Sequence, residues 1–249
     1  MSAAGGRVRS SGQLTRVGNI RVIFQTDHDQ LLIGSLPPVE EARSWRHDPF
    51  AALRGNLEGD PVTGPLVAGA EPDGKPRGTL KERCFFRRAA GPGWALVGDA
   101  GHHKDYVIGD GITEALIQAK SLAEAVREGT ETALARWWRA RDVEVLPRYF
   151  WGMEEGSLGP PAFMEQTVFR RLGRDPVLAR RMSRLPEHRC SPYDVLPISV
   201  IIRCLIGALL RGRLQVIPEF LAQGKRAADY RRELEQRQRL LESASSSSS

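Results

Sequence analysis

The stretch from Gly93 to Val126, GWALVGDAGHHKDYVIGDGITEALIQAKSLAEAV, gathers the residues of this chain best suited to chemistry. A short apolar run, Trp94 to Val97, ends in Gly98-Asp99; Gly109 and Gly111 follow, and a strongly periodic segment opens at Ile112. A carboxylate at the end of a strand accepts hydrogen bonds from ligand hydroxyls such as those of a sugar alcohol, and ligands of open α/β sheets sit outside the carboxyl ends of strands. Glycines at 109 and 111 let the backbone approach a flat or charged group with no Cβ in the way. The first helical turn, around Gly111 and Ile112, presents unpaired N–H groups and a positive dipole end, which favour an electron-rich ligand edge. By spacing alone, the same residues also describe an ordinary strand–loop–helix crossover in which Asp99 caps a turn.

The elements around this stretch follow from periodicity. Trp94 to Val97 reads as a short strand buried on both faces of a sheet. Ile112, Ala115, Leu116, Ala119, Leu122, Ala123 and Val126 form one apolar helical stripe, with Gly129 as its C′ residue. A second helix is expected from Glu131 to about Val145, broken at Pro147. Upstream, residues 20–36 predict a hairpin in which Ile20, Val22 and Phe24 alternate and Leu31 to Leu36 return. A helix follows around Glu40 to Leu57, then a Gly/Pro-rich loop to Gly78, and TLKERCFFRR predicts another strand. Downstream, Val195 to Leu210 is apolar but interrupted by Pro197 and Arg203, and too short for a ~30 Å hydrocarbon core. It predicts a buried or surface-docked helix, with a membrane-interface helix as the alternative. Ala227, Tyr230, Leu234 and Leu241 take heptad-like spacing on a charged helix, and the terminal run Ser245 to Ser249 is expected to be disordered.

Composition bounds the function. The 249 residues carry a net charge of +6, and 41% are hydrophobic. Between Arg170 and Arg239 sixteen Lys/Arg stand against seven Asp/Glu, so the remainder sums to minus three. Only five of the 36 basic residues are lysines, a compositional bias towards arginine. The basic C-terminal third reads as a solvated arginine-rich helical face, with contact to phosphates or anionic lipid as the alternative, and no nucleic-acid partner is expected. Cys84, Cys190 and Cys204 form no close pair, and the N-terminus has no apolar stretch, which together predict a cytoplasmic, reducing location. His102 and His103 are adjacent and diverge, so no metal site is expected.

Gly98-Asp99-Ala100-Gly101-His102, then Gly109-x-Gly111, Ala115 and Leu122-Ala123, resembles the second flavin-binding motif of FAD-dependent monooxygenases of the para-hydroxybenzoate hydroxylase type. The likeness extends upstream through CFFRRAAGPGW and downstream through RARDVEVLPRYF, covering roughly Ile20 to Phe150. The resemblance implies an FAD-dependent oxidoreductase or monooxygenase acting on a small organic substrate, with NAD(P)H as electron donor. It implies that Gly98, Asp99, Gly109, Gly111 and Ile112 bind the cofactor: Asp99 the ribityl chain, the amides at Gly111 and Ile112 the pyrimidine edge. It also suggests that Phe85-Phe86 and Arg87-Arg88 line a substrate pocket, with core and surface roles as alternatives; no catalytic residue is assigned.

The implied fold class is α/β (α+β), a partial FAD/NAD(P)-binding fold. Its parts are a remnant substrate-domain sheet over residues 1–92, a flavin-contacting segment over 93–150, a helical region over 151–242, and a tail over 243–249. Such enzymes open with a strand, a G-x-G-x-x-G turn and a helix that cradle the pyrophosphate. Nothing between Met1 and Gly18 reads that way, and the family's middle Asp-Gly pair is missing. Another polypeptide is therefore expected to supply the nucleotide-binding half; the alternative is a truncated, non-catalytic remnant acting in interactions or at a membrane surface. Tyr106 and Asp110 stand where the family has proline and an amide. A carboxylate at Asp110 opposes negative charge on a reduced flavin, so a flavin here is expected to be harder to reduce.

Overall fold

A computed structural model describes residues 20–28, 30–156, 163–185, 188 and 191–246. Residues 1–19, Cys190 and the last three serines lie outside them, so the readings made on those positions carry no structural statement. Contacts divide the chain after Lys81 into two compact units.

In the first unit, β1 (Ile20–Gln25) pairs antiparallel with β2 (Leu31–Leu36), from Ile20 opposite Leu36 to Gln25 opposite Leu31, as the hairpin pattern predicts. The inward set differs from the predicted alternation. Ile20 and Ile23 are buried while Phe24 faces out. Three helices follow: α1 (Val39–Ser44), α2 (Pro49–Glu58) and α3 (Gly64–Val67), so the predicted single helix is split and the glycine-rich loop holds a further turn. Asp48 caps α2 through the amide of Ala51, with Pro49 at the first helical position, where no N–H is needed. Ile23, Leu31, Leu57 and Val67 form the core. Arg21 clamps the unit by donating to Asn56 Oδ1 at 2.9 Å and to Asp60 at 3.0 Å.

The second unit is mostly helical. Its strands are two residues long: β3 (Phe85–Phe86), β4 (Ala90–Gly91), β5 (Trp94–Ala95) and β6 (His102–His103). They form two antiparallel ladders, β3 with β6 and β4 with β5. This corrects the reading of Trp94 to Val97 as a strand covered on both faces. Only Trp94 and Ala95 pair, the partner is a local hairpin arm, and Trp94 is exposed. The architecture is α+β with small antiparallel sheets.

Helix α4 spans Gly111–Glu128 and ends on Gly129 in the left-handed conformation. Thr130 then caps α5 (Glu131–Glu155) by accepting from the amide of Ala133. The two helices pack around Ala125, Ala133 and Trp137, and Trp137 donates its indole N–H to Ser121 at 2.9 Å. α5 passes through Pro147 instead of stopping there. Proline costs the helix one hydrogen bond, to the carbonyl four residues earlier. Tertiary packing outweighs that loss, because buried residues stand on both sides: Arg141, Asp142, Val145 and Leu146 before it, Arg148 and Gly152 after it.

Beyond α5 come α6 (Phe163–Leu172), α7 (Pro176–Met182), α8 (Ile198–Leu209) and α9 (Val216–Ser246). Met164, Leu172, Leu178, Val200 and Cys204 form a second core among them. α9 is longer than its charge pattern suggests and includes Ser245 and Ser246, which were expected to be disordered. It lies along α5, with Tyr230 buried against Phe150 and stacked on Tyr193 at 4.3 Å between ring centres.

Candidate functional site

Gly98–Ala100 form a single 3₁₀ turn that lies on the first turns of α4. Gly98 has φ +55°, and a Cβ there would sit 2.9 Å from the Cβ of Ala115, so turn and helix meet this closely only with glycine at 98. The Gly98 amide donates to Gln118 Oε1 at 2.8 Å in a buried position. Gly98 therefore seats the turn on the helix, and its N–H is engaged inside the protein. The next residue, Asp99, is exposed and its carboxylate makes no hydrogen bond or ion pair among the described residues.

Asp99 lies against the helix start. A Cβ at Gly111 would be 3.7 Å from Asp99 Oδ1 and 4.0 Å from Oδ2. The chain reaches this point through a second 3₁₀ turn, Tyr106–Ile108, closed by Gly109 at φ +70° with open space where a Cβ would be. Asp110 stands at the N-cap, yet its side chain does not cap the helix. The amides of Gly111, Ile112 and Thr113 thus have neither an intrahelical acceptor nor the usual capping carboxylate. Of the five residues singled out from the sequence, Asp99, Gly111 and Ile112 gather at one exposed helix start, Gly109 shapes the approach, and Gly98 packs behind it.

The Asp110 carboxylate points to the core instead. It accepts from Arg148 of α5, and His188 Nε2 is 3.4 Å from its other oxygen. Arg148 also donates to the carbonyl of Leu185. The expected repulsion between Asp110 and a reduced flavin is corrected accordingly: a guanidinium in direct contact offsets that charge.

Beneath the helix start is a buried polar cluster that sequence reading missed. Glu114 Oε2 accepts from Lys104 and from His102 Nε2, the latter at 2.9 Å. Arg141 Nη1 is 3.2 Å from His102 Nδ1. An arginine only donates, so Nδ1 accepts and Nε2 carries the proton given to Glu114. Burial by itself would raise the Glu114 pKa, but the His102 hydrogen bond and the Lys104 charge outweigh it and hold the carboxyl below its ordinary value. Asp142, paired with Arg141 and Arg237, is pushed up, because its burial outweighs both cations. Glu114 Oε1 and Gln118 Nε2 have no hydrogen-bond partner among the described residues. Both residues line a cleft of about 280 Å³ between α4 and α5, roomy enough for bridging water.

The cluster ties the 3₁₀ turn, β6, α4 and α5 together and so fixes where Asp99 and Gly111 meet. Its sequence signal is Glu114, Gln118, Ser121 and Ala125, a second helical stripe of polar and small residues opposite the apolar one. Phe86 belongs to this scaffold, lying 4.6 Å from Tyr149 and beneath the guanidinium of Arg237 at 4.0 Å. Phe85 likewise sits under Arg87.

Part of the apolar stripe of α4 faces outward, while Ala115 lies against Gly98 and Leu122 packs on the core around Trp137. Ile112 is 81% exposed and Leu116 68%, while Glu114 and Gln118 are buried. Set against protein-family models, curated proteins and solved structures, the chain finds no match.

Proposed function

We propose that this chain is the flavin-contacting part of an FAD-dependent oxidoreductase or monooxygenase acting on a small organic molecule, with the nucleotide-binding half contributed by another polypeptide. The observation that carries the reading is the juxtaposition of a free, exposed Asp99 carboxylate with an uncapped helix start at Gly111. Asp99 would accept hydrogen bonds from ribityl hydroxyls. The amides of Gly111 and Ile112 would meet the pyrimidine edge, and Gly109 and Gly111 leave the approach clear. FAD, when bound, supplies the electron-transfer and oxygen chemistry, with NAD(P)H as donor; the chain supplies position and electrostatics. The exposed Ile112, Leu116 and Val126 support a contact with further protein beside the site, since exposed apolar faces of this kind mark such contacts.

The test is a titration of the full chain with riboflavin and with FAD, followed by flavin fluorescence. The site holds the ribityl and ring portion, so the two ligands are expected to bind with similar affinity. Asp99→Ala removes a hydrogen bond to a charged group, about 1.5 kcal/mol, and weakens both roughly tenfold. A folded chain that leaves the fluorescence of both ligands unchanged would overturn the proposal.

A further inference from the structure

We infer that α8 and the turn after it form a docking surface for an anionic lipid bilayer, on which the chain lies without crossing it. This is independent of the flavin reading and rests on different residues.

The exposed face of α8 carries Ile198, Ile202 and Ile206 at four-residue intervals, and Leu210 follows at the same interval. Leu214, Ile217 and Leu221 are also exposed through the turn and the start of α9. Leu210 is 84% exposed and Ile198 65%. A helix on a water-facing surface ordinarily carries polar residues on its outer side. Here the inner side is already satisfied by Val200, Cys204 and Ala208, with Val200 and Cys204 in the core shared with α6 and α7. The outer isoleucines are therefore surplus to folding.

Charge decides what covers them. From Val195 to Pro218 there is no aspartate or glutamate, while Arg203, Arg211 and Arg213 all lie in that window and are exposed. Arg203 sits between Ile202 and Ile206, and Arg211 and Arg213 flank the turn; none of the three forms an ion pair among the described residues. Arg213 lies over the Phe163 ring at 5.3 Å and the Arg211 head lies near Gly207, so both stay beside the ridge without a carboxylate partner. Exposed arginines without acidic partners beside an aliphatic ridge match a surface that is apolar within and anionic at its rim. Twelve helical residues reach only ~18 Å, well short of a ~30 Å hydrocarbon core. Among the described residues no helix is long and apolar enough to cross a membrane. The geometry thus points to a helix lying in the interface plane.

The experiment is co-sedimentation of the full chain with phosphatidylcholine vesicles, with and without phosphatidylglycerol. Binding is expected to be roughly tenfold stronger with the anionic lipid, and weaker at high salt. Ile202→Ser with Ile206→Ser is expected to lower binding roughly tenfold or more. Circular dichroism and the melting temperature should stay unchanged, since both side chains face outward. Arg203→Ser with Arg211→Ser is expected to erase the preference for anionic vesicles. Absence of binding to anionic vesicles, or binding indifferent to the isoleucine pair, overturns the inference. So does a self-association that the isoleucine pair abolishes while vesicle binding persists, because the ridge would then be a seam between copies of this chain.

Discussion

Asp99 and Gly111 are neighbours across the loop that separates them: a side chain begun at 111 would lie 3.7 Å from the Asp99 carboxylate. That distance is ordinary contact, so an alanine fits. Gly111→Ala is therefore expected to leave the melting temperature unchanged or slightly raised, since alanine is the better helix former by up to ~1 kcal/mol. The added methyl occupies the space between carboxylate and amides, so riboflavin affinity should fall roughly tenfold, about 1.4 kcal/mol. A variant that loses stability and binding together would show that Gly111 serves folding only.

The Asp110–Arg148 pair should behave as a buried structural ion pair. Arg148→Met strands a carboxylate in the core and is expected to cost about 3 kcal/mol or more in urea unfolding. Asp110→Asn keeps a hydrogen-bond acceptor and should cost less, about 1–2 kcal/mol. Combining the two should recover part of the loss, and a double-mutant cycle gives the coupling directly.

Acid stability should depend on two buried carboxyls with opposite signs. Glu114 is lowered in the folded state, by the His102 hydrogen bond and the Lys104 charge against the opposing pull of burial. It therefore contributes stability that is present above its ordinary value of 4.5 and lost as pH falls through the lower folded value. Asp142 is raised by burial, so in the window just above its ordinary value of 3.8 it makes the protein less stable as pH rises. Urea midpoints measured across this range should show a shallower acid limb in Glu114→Gln and a steeper one in Asp142→Asn. Identical limbs in wild type and Glu114→Gln would mean that Glu114 titrates alike folded and unfolded.

Pro147 interrupts hydrogen bonding inside a helix whose two halves are both anchored. Interior proline costs a helix ~3 kcal/mol, partly offset by the smaller entropy of the unfolded chain. Pro147→Ala is expected to stabilise the protein by about 1 kcal/mol, raising the melting temperature by a few degrees. A lower melting temperature would show that α5 needs the bend a proline imposes.

Much of the local structure was legible in the residues. The hairpin of residues 20–36, the end of α4 at Gly129 and the start of α5 after Thr130 each follow from signals spanning a few positions. The stripe on α9 also holds, since Ala227, Tyr230, Leu234 and Leu241 are all withdrawn from solvent to some degree. The helix boundary at Pro147 was misjudged because proline acts locally, whereas the contacts that carry α5 past it come from α4 and α9.

What the sequence by itself determined is the hairpin of residues 20–36, where α4 ends and α5 begins, and that Asp99 and Gly111 border one loop. Only the tertiary structure decided which way α4 faces. Its apolar stripe and its Glu114–Gln118–Ser121–Ala125 stripe are both complete helical faces, and periodicity treats them alike. His102, Lys104 and the Gly98 amide supply partners that make burying Glu114 and Gln118 favourable, and these partners lie ten to twenty residues away. A buried polar group is stable only when its hydrogen bonds are met, and whether they are met depends on groups brought together by folding rather than by spacing along one helix.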